Sequence, residues 1–206
     1  MTDSQEVIGQ RVTAALRARK WLEETSPDSL SEHELKQLGV ALCDSLAHGT
    51  GRSLPPAAAA APTLASAYEL IELPRSDLLA LCRRLRSADA GVVANQISQL
   101  PDFEAILACL AISYARVNDI AAVAVLVAAG HRAGVSACAM RDAESYLMEQ
   151  QHDDGYFGLL AAERALVSAC DISGALLQLT VDVLWALTEA NAAGTRRSNP
   201  DLSYAQ

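Results

Sequence analysis

The sequence has few aromatic residues and no apolar run long enough to cross a membrane. Only 4% of its 206 residues are Phe, Trp or Tyr, and Ala is the commonest residue. The most apolar region, residues 105–130, is interrupted by Arg116, Asn118 and Asp119, whereas a membrane span needs about 20 apolar residues in a row. Few aromatics and abundant Ala favour helix over strand. The composition therefore predicts an all-α protein without a transmembrane helix.

Basic residues are also scarce relative to acidic ones. The chain has 16 Lys and Arg against 25 Asp and Glu, which gives a formal net charge of −9. Such a surface repels phosphate backbones and anionic membranes. The beginning, MTDSQEVIGQR, lacks the basic head and apolar run of a secretory signal. We expect no nucleic-acid partner, no membrane association and a cytoplasmic location.

Several motifs of common enzyme classes are missing. The chain has no GxGxxG, P-loop, HExxH or GxSxG sequence, which disfavours nucleotide cofactors, zinc proteolysis and α/β-hydrolase chemistry. No two cysteines are spaced as CxxC, so neither a zinc site nor a redox pair is expected. We expect no cofactor and no metal. Five cysteines lie in apolar helical stretches and are predicted to be free, buried thiols: Cys43, Cys82, Cys109, Cys138 and Cys170.

Helical periodicity runs through most of the chain. Residues 120–130 are apolar on every face, which predicts a fully buried helix. Ser31 and Glu34 match a capping box before a helix that ends near His48. Ser76 is predicted to cap another helix, with Arg86 and its neighbouring arginines outside. The remaining predicted helices cover residues 4–24, 63–72, 103–114, 135–151, 159–170 and 173–190.

This pattern predicts one helical domain of stacked αα-hairpins. Residues 1–191 form the domain, and residues 192–206 are expected to be a disordered polar tail. Residues 49–62 contain a Pro pair and two glycines, which indicates a long connection between helices. The sequence contains about eight or nine predicted helices, and this number fits stacked hairpins better than a four-helix bundle.

The segment YLMEQQHDDGYFG, residues 146–158, contains an aromatic–Leu pair, then Gln151, Gly155 and Phe157. It resembles the glutamine/tryptophan-type repeat of α/α-toroid proteins, which include terpenoid cyclases and protein prenyltransferases. The resemblance implies a partial or reduced toroid, because the chain is too short for a complete ring of hairpins. It also implies that Gln151 binds backbone groups at the end of the next helix. Gly155 is expected to adopt positive φ, and Phe157 to pack onto the hairpin.

The resemblance does not carry the chemistry of those families. The DxDD motif is absent, no DDxxD motif follows Asp153 and Asp154, and no zinc ligand of the prenyltransferases matches a position here. With so few aromatics, a pocket that stabilises carbocations is not expected.

His152, Asp153 and Asp154 form the densest titratable group in the sequence. A His beside carboxylates can act as an acid or base, and these residues are the candidate catalytic group. As a site, they would converge with Arg141, Glu144 or another carboxylate. The alternative is a solvated turn between helices, because Asp-Gly is an ordinary turn signal. We favour the turn.

Four further residues are candidate binding groups: His131, Tyr68, Glu69 and Arg141. His131 follows the apolar run and is a possible ligand or base, although a His at a helix C-terminus also complements the helix dipole. Tyr68 and Glu69 lie within one helical turn and could point into a toroid cavity, or belong to a helix start. A polar stripe on the last helix could face solvent, a cavity or a partner; its members are Gln178, Asp182, Trp185 and Glu189.

Two functions are consistent with these features. The favoured hypothesis is a non-catalytic helical protein that forms a homodimer or binds another protein, because a partial ring leaves apolar helix faces uncovered. The alternative is a small enzyme or ligand-binding protein of specialised metabolism, with an acidic and His-lined cavity for an organic molecule. A closed pocket with converging polar groups would favour the alternative.

Overall fold

The computed structural model describes residues 2–48, 62–158 and 169–198. Across these ranges the backbone forms nine helices and no strand, apart from a single bridge between Gln151 and Phe157. The protein is therefore all-α, as the composition predicts. The helices are α1 (Thr2–Glu24), α2 (Leu30–Ala47), α3 (Glu69–Glu72), α4 (Arg75–Ser87), α5 (Ala90–Ile97), α6 (Phe103–Arg116), α7 (Ile120–Arg132), α8 (Ala137–Glu149) and α9 (Ala169–Ser198).

Helix α7 lies at the centre of the hydrophobic core. It packs against α4, α6, α8 and α9, and all its residues except Ala121 are buried. The side chain of Asp119 caps its first turn by accepting the Ala122 N–H at 3.1 Å. The prediction of a fully buried helix at residues 120–130 is confirmed. Helix α2 packs against both α1 and α9.

The cap of α2 lies two residues before the predicted one. The Ser29 hydroxyl accepts the Glu32 N–H at 3.2 Å, and the Glu32 carboxylate accepts the Asp28 N–H at 2.7 Å. This reciprocal pair performs the function of a capping box. The predicted pair, Ser31 and Glu34, is wrong because both residues already lie inside the helix.

Helix boundaries depart from the predictions in several places. The helix predicted at residues 63–72 is limited to Glu69–Glu72, and residues 170 and 173 lie in one helix, α9, without the predicted break. Helix α4 begins at Arg75, directly after Pro74, so Ser76 is inside the helix and is not its cap. The eight-residue α5 was not predicted, because it is too short for a clear periodic signal. Helix α9 is continuous to Ser198, so the first seven residues of the predicted tail are helical; they are rich in Ala and Arg, which favour helix.

Some predictions lie outside the described residues. These are most of the connection at residues 49–62, residues 159–168 of a predicted helix, and the end of the tail from residue 199.

The four cysteines whose side chains the structure describes divide into two classes, and the prediction for the side chain of Cys170 lies outside the described part of the chain. Cys43 and Cys82 are buried, as predicted, but Cys109 and Cys138 are exposed. Each exposed cysteine lies opposite the buried face of its helix; α6, for example, buries Ile106 and Leu107. Apolar neighbours in the sequence did not reveal this, because burial follows the helix face and not the local average.

Candidate functional site

One face of α1 is attached to α8 and to the turn that follows it. The contacts recur every three or four residues, which places them on one side of the helix. In order along α1, they join Arg11 to Glu144, Ala14 to Gln151, Arg17 to Gly155, and Trp21 to Tyr156. We call Arg11, Ala14, Arg17 and Trp21 the docking face of α1. This face fixes the position and rotation of the helix.

The turn at residues 151–157 supplies most of these contacts. The Gln151 amide donates to the Ala14 carbonyl at 2.8 Å and to the Gly155 carbonyl at 2.9 Å. Its amide nitrogen thus binds the middle of α1 and the turn itself; residues 159–168, where the next helix is predicted, lie outside the described residues. Gly155 has φ +102°, and Phe157 is fully buried, with its N–H donating to the Thr180 hydroxyl at 3.1 Å. The positive φ expected of Gly155 is confirmed, while the packing of Phe157 onto the hairpin stays a prediction, because residues 159–168 lie outside the described part of the chain.

His152, Asp153 and Asp154 are arranged as a surface turn. The Asp154 N–H donates to Nδ1 of His152 at 3.3 Å, and both aspartates are exposed. The His152 ring stacks on Tyr156 with centroids 4.7 Å apart. Arg141 is exposed on α8, and Glu144 is buried with other partners. Among the described residues, no hydrogen bond or ion pair joins this turn to Arg141 or Glu144.

His131 lies in a buried ionic group that joins three helices. Its Nε2 is 2.6 Å from Oε1 of Glu144, and the other carboxylate oxygen pairs with Arg11. A carboxylate only accepts hydrogen bonds, so the imidazole donates. Burial acts to raise the pKa of Glu144, but the hydrogen bond and charge of His131, together with Arg11, hold it below its ordinary value. All three side chains are nearly inaccessible to solvent, so this group cross-links α1, α7 and α8.

Tyr68 and Glu69 lie at the start of α3, which packs against α6. The Tyr68 hydroxyl donates to Oδ2 of Asp102 at 3.2 Å. Farther along, Arg75 forms an ion pair with Asp119, which includes an Nη2–Oδ1 contact of 2.8 Å. The segment is thus fixed to the two residues that flank α6, Asp102 before it and Asp119 after it. Neither Tyr68 nor Glu69 lines the half-open cavity that the structure contains next to α5.

The polar stripe of α9 faces into the protein. Asp182 is completely buried; its Oδ2 accepts Arg83 at 2.9 Å, and its Oδ1 is 2.6 Å from Nη1 of Arg86. The Arg86 guanidinium lies 4.3 Å from the centre of the Trp185 ring, a cation–π contact. Burial lowers the pKa of Arg86. The prediction that Arg86 faces outward is wrong, because it pairs with an acid on another helix.

A second buried ion pair lies farther along α9. Arg132 donates to Glu189 at 3.1 Å and to the Ala88 carbonyl at 3.0 Å. The pair links α7 to α9 and to the residue after α4. The stripe is therefore an internal contact surface, which differs from all three possibilities left open by the sequence.

The opposite side of α1 presents apolar side chains to solvent. Ile8, Val12 and Leu16 recur every four residues and form what we call the outer stripe. Ile8 is 45% exposed and Leu16 is 54% exposed, while Val12 is half-buried. Beside them, the backbone at Gly9 is open, since a Cβ built there would meet no atom within 4 Å.

The structure also contains a half-open cavity of about 350 Å³ next to α5. We call it the amide pocket because three carboxamide side chains line it. Its lining residues are Pro62, Thr63, Leu64, Leu85, Asn95, Gln96, Ile97, Gln99 and Leu100. Neither histidine nor a charged residue occurs among these described lining residues, so they do not form the acidic, His-lined cavity of the alternative hypothesis.

The described residues contain neither a metal-binding cluster nor a membrane-spanning helix. Across 2–48, 62–158 and 169–198, no three His, Cys, Asp or Glu side chains are grouped so that they could hold a metal ion. No helix within these ranges combines the length and apolar character required to cross a membrane.

No protein-family model, curated protein or solved structure matches the chain. The resemblance to toroid repeats therefore stays a prediction, and the roles of residues rest on their geometry. Sequence reasoning missed the pairing of Arg11 with Glu144. A signal for it exists: Glu144 lies on the same helical face as the buried Met140 and Leu147, and a charge at a core position usually has a buried partner.

Proposed function

We propose that the protein is a non-catalytic helical protein that forms a homodimer through the outer stripe of α1. The observation that carries this proposal is the exposure of Ile8 and Leu16 on a helix whose opposite face is fixed to the body. Burying such side chains against a partner removes apolar surface from water, worth about 25 cal/mol per Å².

The rigid attachment of α1 makes the stripe suitable for association. Its docking face is fastened at Arg11, Ala14, Arg17 and Trp21. A surface that is already ordered loses little conformational entropy on binding. Side chains spaced by four residues form a ridge that packs into the matching groove of another helix. The open backbone at Gly9 permits close approach of that helix.

A second copy of the chain fits the charges around the stripe. Exposed Glu6 precedes the stripe, and exposed Lys20 follows it. In an antiparallel pair, Glu6 of one copy lies on the side of Lys20 of the other. This arrangement has two-fold symmetry, the commonest symmetry of soluble oligomers. The apolar area is small, so we expect a weak dimer with rapid exchange.

The catalytic alternative receives less support from the site geometry. His152 and its aspartates form a surface turn, and His131 is enclosed in an ionic group. The amide pocket lacks an acid, a base and a nucleophilic thiol among its lining residues. General acid–base or nucleophilic catalysis needs such groups within reach of a substrate.

Sedimentation equilibrium over a micromolar concentration range tests the dimer. The wild-type protein should show reversible association, and Ile8→Lys with Leu16→Lys should be monomeric. Both positions are exposed, so the double variant should keep its fold. Val117→Lys is the matched control, because Val117 is 71% exposed at the end of α6 and its replacement should leave association unchanged.

Two results would contradict the proposal. One is a wild-type protein that stays monomeric at every concentration. The other is an unchanged dimer in the folded double variant, which would place the interface elsewhere.

A further inference from the structure

We propose that the amide pocket binds a small uncharged molecule that carries an amide-like group. This inference is independent of dimerisation, since none of the lining residues belongs to α1. The cavity volume of about 350 Å³ lies within the range of ligand pockets, which begins near 300 Å³. The cavity thus has room for a fragment-sized molecule.

The polar groups of the pocket select for a neutral ligand. Asn95, Gln96 and Gln99 each offer an amide N–H donor and a carbonyl acceptor, and Thr63 offers a hydroxyl. A carboxamide can therefore form paired hydrogen bonds with the amide group of a ligand. Since none of the described lining residues is charged, an ionic ligand would lose water without gaining a counter-ion from them, which is unfavourable.

The apolar groups define the other half of the ligand. Leu64, Leu85, Ile97 and Leu100 line the cavity alongside the amides. They provide a surface for a ring or a short hydrocarbon group, and such mixed lining is typical of small-molecule sites. The expected ligand thus combines an amide-like end with an apolar body.

The amides are carried by an anchored part of the backbone. Helix α5 buries Val93 and Ile97 in the core, and Asp89 caps its start by accepting the Val92 N–H at 3.0 Å. After the helix, the Leu100 N–H donates to the Ile97 carbonyl at 2.8 Å. Backbone positions fixed in this way reduce the entropy cost of binding.

Titration with three matched probes tests the inference. Benzamide is neutral, benzoate is an anion and benzylammonium is a cation, and all three share a benzene ring. Each is added to the full-length, ¹⁵N-labelled protein while NMR follows the side-chain amide signals of Asn95, Gln96 and Gln99. We expect benzamide to shift these signals in a saturable way and to bind at least about tenfold more tightly than either ion.

A substitution that places a negative charge at Gln99 makes the test specific to the pocket. In Gln99→Glu the carboxamide becomes a carboxylate of nearly equal size, so the preference should invert from benzamide to benzylammonium by about tenfold or more. Gln99 is exposed, and the variant should fold normally. Gln10→Glu is the control, because Gln10 is an exposed glutamine on α1; it should leave the order of the three probes unchanged.

Three outcomes would overturn the inference. The first is the absence of any saturable shift with benzamide. The second is equal binding of benzamide and benzoate, which would show that the amides do not select a neutral group. The third is a probe order that is the same in Gln99→Glu and the wild type.

Discussion

At Gly155, the turn at residues 151–157 comes into close contact with the backbone of α1. Its φ is +102°, and a Cβ placed on it would lie 2.2 Å from the carbonyl oxygen of Arg17. A side chain at this position is therefore unfavourable for two reasons: the positive φ of the backbone and the clash with the Arg17 carbonyl. Gly134 also has positive φ, at +84°, but a Cβ there meets no atom within 4 Å.

We predict that Gly155→Ala destabilises the protein more than Gly134→Ala. Both variants carry the strain of a positive φ, about 1 to 3 kcal/mol, but only the first adds a clash with the backbone of α1. Urea unfolding measures both changes in the free energy of unfolding. Equal losses would show that α1 can move away at no cost, against the close docking described above.

Glu144 gives stability a specific dependence on pH. Burial opposes its charged form, but His131 and Arg11 hold its pKa in the folded protein below the ordinary value of 4.5. The folded state therefore binds this proton less readily than the unfolded chain. Its contribution to stability is complete above pH 4.5 and is lost as the pH falls through the lower, folded-state pKa.

We predict that the destabilisation caused by Glu144→Gln shrinks in acid. The variant removes the charge between His131 and Arg11, and at neutral pH this should cost about 3 kcal/mol or more. Urea unfolding of both proteins from neutral pH down to about pH 3 follows the difference. A difference that stays constant over this range would show that Glu144 does not titrate differently in the folded and unfolded states.

Helices α4 and α9 are joined by charges as well as by apolar packing. Asp182 has no solvent exposure and faces two arginines of α4, whereas Asp44 pairs with Arg19 at the surface and is 42% exposed. Breaking a buried pair leaves an uncompensated charge, but a surface pair is already screened by water.

We predict that Asp182→Ala costs about 3 to 5 kcal/mol of unfolding free energy, and that Asp44→Ala costs at most about 1 kcal/mol. Thermal and urea unfolding report both values. Similar costs for the two variants would show that water reaches the pair between α4 and α9.

The sequence predicts elements better than it predicts their partners. Helix α7 could be recognised because its apolar residues cover every face, a property of the segment alone. The inward orientation of Asp182 could not, because it depends on Arg83 and Arg86, almost a hundred residues away in the chain. The same holds for Glu144 and Arg11: periodicity shows which face is buried, but not which element covers it.

The four thiols that the structure describes differ sharply in their exposure to solvent. Burial raises the pKa of Cys43 and Cys82 to about 12, so their reactive thiolate is about a thousandfold rarer than at the usual value of 9.0. Cys109 and Cys138 are exposed.

We predict that iodoacetamide labels Cys109 and Cys138 in the native protein and labels Cys43 and Cys82 only after unfolding. Peptide mapping by mass spectrometry reads each site separately, and labelling in urea serves as the control for intrinsic reactivity. Rapid native labelling of Cys43 or Cys82 would contradict the burial of these residues.

The docking face of α1 also has a consequence for synthesis on the ribosome. Translation proceeds from the N-terminus, so α1 emerges long before Gln151 and Gly155, the residues that hold its middle. At roughly 5 to 20 residues per second, the interval is on the order of 10 s. During that time only α2, among the described partners of α1, has been made. Until then, the nascent α1 can pack only against α2. Its attachment to α8 therefore belongs to the late steps of folding.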